Sequence, residues 1–104
     1  MTTPSTDRSA IAQIIKAVKA AGWVLDHVDD GEDGIPAYDT AQIALNAITA
    51  VDTAYLYVHE KAGGPGGTKG WIYFVLGNEP FEVAADYTLN LESAIGPLME
   101  GWDE

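Results

Sequence analysis

Two runs of aromatic and β-branched residues, Tyr55-Leu56-Tyr57-Val58-His59 and Trp71-Ile72-Tyr73-Phe74-Val75-Leu76, flank a connection that is half glycine. No other feature narrows the fold as much. Side chains of this kind suit a pleated, half-buried surface and disfavour helix. The segment between them, Lys61-Ala62-Gly63-Gly64-Pro65-Gly66-Gly67-Thr68-Lys69-Gly70, cannot hold a helix or a strand of its own. The combination predicts an antiparallel hairpin with a floppy, glycine-rich tip.

Around this hairpin the chain reads as helix and short strand. Ser5, Thr6 or Asp7 can cap a first helix, in which Ile11, Ile14, Ile15 and Val18 recur on one face and Gly22 marks the stop. Trp23 to Val28 reads as a strand, and Asp29-Asp30-Gly31-Glu32-Asp33-Gly34 as a tight acidic turn. A second helix is expected from Asp39 or Thr40, with Asp39 and Gln42 at capping-box spacing. Phe81 to Tyr87 reads equally as a helical turn or an edge strand. Asn90 is placed to cap a last helix carrying Leu91, Ile95, Leu98 and Trp102, which Gly96-Pro97 should kink or split. The expected fold is α+β in the order α-β-α-β-β-α, a small antiparallel sheet of about three strands covered on one face by helices. With 104 residues and no linker or repeat, a single domain spanning 1–104 is expected.

Charge is the second constraint. Sixteen carboxylates against five Lys and Arg give a net charge of −11. Like charge at this density weakens a compact fold by self-repulsion, so it points to solubility or to a basic partner. A 47% hydrophobic fraction argues against disorder in spite of it. Residues 20–60 contain no Lys or Arg, and neither do residues 70–104. Arg8, Lys16 and Lys19 gather on one flank of the first helix, too few in such an acidic particle to hold a polyanion. There is no cysteine, hence no disulfide or thiolate metal site. No signal-like start or membrane-length apolar run is present, so a cytoplasmic, non-membrane protein is expected.

Catalytic and metal motifs are weak. The glycine-rich tip lacks the P-loop order, having Thr68 before Lys69 and Gly70 after it. An EF-hand loop begun at Asp29 would have Gly31 and Thr40 where ligands belong, which leaves only a weak Ca²⁺ site as an alternative. His27 and His59 stand alone on expected strands, where hydrogen bonding within the sheet accounts for them. Capping accounts for Ser5 and Ser9, and Ser93 lies in a first helical turn. The expectation is a non-enzymatic protein without cofactor or metal.

What remains is binding. A chain of this length forms a globule roughly 35 Å across, over which duplex DNA carries about 20 phosphates, half of them facing one side. A net −11 is comparable with that face. The partner-binding residues expected are Asp26, Asp29, Asp30, Glu32 and Asp33, supported by Asp39, with a second patch from Glu79, Glu82 and Asp86. Trp102 and the exposed face of the Tyr55/Tyr57/Tyr73 hairpin are the candidate anchors, whereas Trp23 and Trp71 are assigned to the core.

Gly22-Trp23, Asp29-Asp30-Gly31-Glu32, Trp71 to Asn78, Asp86-Tyr87-Thr88 and Asn90-Leu91-Glu92 together resemble small acidic proteins of phages and other mobile elements. That class includes anti-CRISPR and other counter-defence proteins. The resemblance implies binding of a basic, nucleic-acid-handling host protein, such as a nuclease or CRISPR-like complex, in the host cytoplasm, and inhibition by nucleic-acid mimicry. These proteins share no motif, so no functional residue is carried over. The alternative expectation is an assembly accessory protein that forms a homodimer through its sheet.

Overall fold

A computed structural model of the protein describes residues 4–61 and 67–102, except for the side chain of Phe81. Helix α1 (Asp7–Ala20) starts where Thr6 Oγ1 accepts the Ser9 N–H at 3.0 Å, satisfying one of the orphan donors of the first turn. Its isoleucines and Val18 are buried, as their spacing demands. Gly22, at φ +97°, turns the chain out of the helix in a conformation other residues adopt only with strain.

Five strands follow in one antiparallel sheet: β1 (Trp23–Asp29), β2 (Gly34–Pro36), β3 (Thr53–Glu60), β4 (Lys69–Val75) and β5 (Ala84–Tyr87), in spatial order β2-β1-β3-β4-β5. Helix α2 (Ala41–Thr49) connects β2 to β3, and α3 (Glu92–Glu100) ends the described chain. The α+β class agrees with the sequence reading, and the sheet is larger than expected by its two edge strands. Those edges are three and four residues long, too short to show a periodicity.

Alternation along the strands sorts their side chains between two faces. Leu25, Val28, Leu56, Val58, Ile72 and Phe74 point one way, into a core shared with Ile11, Ile14, Ile15, Ile48, Leu91 and Ile95 of the helical layer. The hairpin register pairs Tyr55 with Tyr73, Leu56 with Ile72 and Tyr57 with Trp71. The glycine-rich tip expected between its strands lies largely outside the described residues.

Three local expectations change. Asp39 does not cap α2; its Oδ1 accepts the Leu25 N–H at 3.0 Å, and Thr40 takes the cap position. Tyr38 and Asp39 both have positive φ there, and the tie to β1 holds Asp39 in place. Asn90 does not cap α3 either. A short 3₁₀ turn, Leu89–Leu91, precedes that helix, and Asn90 donates to the Lys69 carbonyl at 2.8 Å while accepting from Thr88 Oγ1. Pro97 lies inside α3 without splitting it, since in so short a helix it forfeits only the bond that would reach Ser93. Among the described residues no helix is long and apolar enough to cross a membrane.

Candidate functional site

Antiparallel pairing decides which loops share an end of the sheet. Asp29 at the close of β1 pairs with Tyr55 near the opening of β3, and Phe74 near the close of β4 pairs with Ala84 opening β5. The Asp29–Asp33 turn, Asp52 and the Glu79–Glu82 connection therefore lie at one end. The α1 N-terminus joins them, because Asp7 Oδ2 accepts the Gly77 N–H at 3.0 Å. Against these carboxylates the described residues of that end place one cation, Arg8, whose guanidinium donates to Asn46 Oδ1 and Thr49 Oγ1 on α2. Lys61 and Lys69 sit at the opposite end, where Lys61 N–H donates to the Gly22 carbonyl and Lys69 pairs with His59. Among the described residues carboxylates outnumber cations at the first end, whereas Lys61 and Lys69 share the other end with Glu60.

The acidic turn is internally braced. Asp29 Oδ1 accepts the Gly31 N–H at 2.9 Å, and Asp30 Oδ1 accepts those of Glu32 and Asp33 at 2.9 and 2.8 Å. The Asp33 and Glu32 N–H groups stabilise the ionised Asp30 and hold its carboxyl below the usual value. Glu32 and Asp33 point into solvent. Among the described residues no three His, Asp or Glu side chains converge as metal ligands.

The expected site residues do not all meet. Asp29, Asp30, Glu32, Asp33, Glu79 and Glu82 share the acidic end. Asp39 is committed elsewhere, holding the Leu25 N–H and lying 3.5 Å from Lys19 Nζ. Asp26 occupies a bulge midway along β1, with Oδ1 2.6 Å from Nδ1 of the buried His59. That contact is too poorly aligned to count as a hydrogen bond. Asp86 lies on the edge strand β5, opposite Tyr73, and accepts the Tyr87 N–H through its side chain. Trp102 is a correction: it is only 6% exposed, and its indole N–H donates to Gln13 Oε1, so it packs the helical layer and offers no anchor.

The sheet face turned away from the core carries the aromatics. His27 stacks on Tyr57 with centroids 4.7 Å apart and planes 11° from parallel. Tyr55 packs beside Tyr73 at 4.6 Å, beside Tyr57 at 6.0 Å and edge-on to Trp71 at 5.5 Å. Trp71 is the second correction, standing partly exposed on this face and not in the core. Its alternation with Ile72 and Phe74 is the signal that puts it beside Tyr73. The register sets Asp29, Tyr55, Tyr73 and Asp86 in one row across four strands, an aromatic pair bounded at each end by a carboxylate.

A groove of about 450 Å³ between α1 and α2 is lined by Ile15, Lys19, Leu45 and their neighbours, with no carboxylate or histidine among them. No protein-family model matches the chain, and neither curated proteins nor solved structures provide a match.

Proposed function

We propose that this is a non-enzymatic binding protein that occupies the cationic groove of a nucleic-acid-handling protein, in the manner of phage-type counter-defence inhibitors. The observation that carries the reading is the placement of the Asp29–Asp33, Asp52 and Glu79–Glu82 carboxylates at one end of the sheet, away from Lys61 and Lys69. Concentrated in this way, charge steers a cationic surface towards one region of the protein; spread evenly, it would serve solubility alone. The particle is 38 Å in its longest dimension, long enough to span about one turn of duplex.

The test is affinity capture from a bacterial lysate across a salt series, with and without duplex DNA or RNA as competitor. The expected partner is a basic nucleic-acid-handling protein, released by the competitor and held progressively less well between about 50 and about 200 mM salt. Capture that ignores both salt and nucleic acid overturns the reading.

A further inference from the structure

We infer that the uncovered sheet face is the docking surface for an arginine- or lysine-bearing segment of a partner protein, with the Tyr55–Tyr73 pair and Trp71 at its centre and Asp29 and Asp86 as flanking anion posts. This rests on the proposed function and assigns the hold to the sheet face adjoining the acidic turn that steers, the two sharing Asp29. Three observations favour it. Strands of one sheet lie about 4.8 Å apart, so Asp29 and Asp86 stand roughly 14 Å from each other across the aromatic row, within reach of successive basic side chains. The rings are packed against one another and ride on strands whose other side is the core, so they are ordered before a partner arrives. Tyrosine and tryptophan inside a charged rim is also the composition of binding centres.

Charge selects the occupant. A second copy laid on this face would oppose Asp29 and Asp86 to carboxylates of the same kind, and a nucleic acid would oppose them to phosphates. Edge pairing is blunted as well, because β2 ends in Pro36 and Asp86 takes up the Tyr87 N–H on β5. The face offers roughly 400 Å² over its central strands, about half of one side of a standard interface, so the partner extends over the adjoining acidic turn.

The probe is a short peptide of alternating arginine and alanine, titrated at low salt into the full chain and followed by NMR. The expected result is saturable shifts at Tyr55, Tyr57, Tyr73 and the Trp71 indole N–H, with the buried Trp23 and Trp102 indoles unmoved. Tyr73→Ser, which keeps the charge, should weaken the peptide about tenfold, and Asp86→Asn should weaken it without touching the aromatic row. Shifts confined to Asp30–Asp33 and Glu79–Glu82, with Tyr73→Ser neutral, overturn the docking face and leave the acidic-end reading standing. No saturable binding at all overturns both. Concentration-dependent broadening of the face signals without peptide assigns the surface to a second copy and also overturns the inference. The unsubstituted chain decides among these outcomes even if Tyr73→Ser fails to fold.

Discussion

The two faces of this sheet are built by the same strands from alternate residues, yet they are under different constraints. On the covered face Leu56, Ile72 and Phe74 are fully buried against three helices, and volume decides what fits. On the open face Tyr55, Tyr57, Trp71 and Tyr73 remain partly exposed and lean on one another, with carboxylates at both ends of their row. The covered face holds the fold together. The open face leaves large rings partly in contact with solvent, held by their neighbours on the same face and by the strands beneath them.

Substitutions separate the two. Phe74→Ala should have the largest effect, about 3–5 kcal/mol lost in urea unfolding, since it deletes a fully buried ring and leaves a cavity. A change below about 1 kcal/mol would break the distinction between the faces. Gly70→Ala tests the join between β4 and the turn before α3. An added Cβ would stand 2.8 Å from Thr88 Oγ1, 3.1 Å from Asn90 Oδ1 and 3.2 Å from Leu91 Cδ1. Such overpacking costs about 1–3 kcal/mol, readable as a fall in melting temperature.

Tyr87 belongs with the covered side, opposite Ile72, and its hydroxyl bonds the Glu92 carboxylate on α3. That bond, reinforced by burial, pushes its phenol up to about 12 from 10.0. A phenol raised on folding contributes stability that is complete below its unfolded value and lost as pH rises through the folded one, so the window is about pH 10 to 12. Ultraviolet titration should show Tyr87 ionising late, and Glu92→Gln should move it earlier.

Tyr55→Ser on the open face should cost only about 1 kcal/mol, the scale of an aromatic cross-strand contact, while weakening partner binding far more. Equal losses in both would make the open face structural. The smallest effect is expected for Asp30→Asn, which should lower the urea midpoint at neutral pH only slightly, because the amide oxygen still accepts the Glu32 and Asp33 N–H groups and only the charge-assisted part of those bonds is lost. With Asp30 itself, stability present above the unfolded value of 3.8 is lost as pH falls through the lower folded value. In the Asp30→Asn variant that contribution should vanish from an acid titration of unfolding.

Elements whose pattern is long enough to carry a period were legible in the chain itself. The isoleucines of α1, the β3–β4 hairpin and the acidic turn all follow from local chemistry, as do the negative charge and the tyrosine face. Tertiary structure alone decided the rest. Asp39 and Asn90 carry the chemistry of helix caps, but strands β1 and β4 offer them backbone partners far away in sequence. Trp71 and Trp102 exchange their expected places because a tryptophan's burial depends on which layer lies opposite, and no local residue specifies that. Nor does composition reveal which of the acids share one end. Turns remote from one another in the chain become neighbours only once antiparallel register aligns the strand ends, and register is settled by long-range pairing.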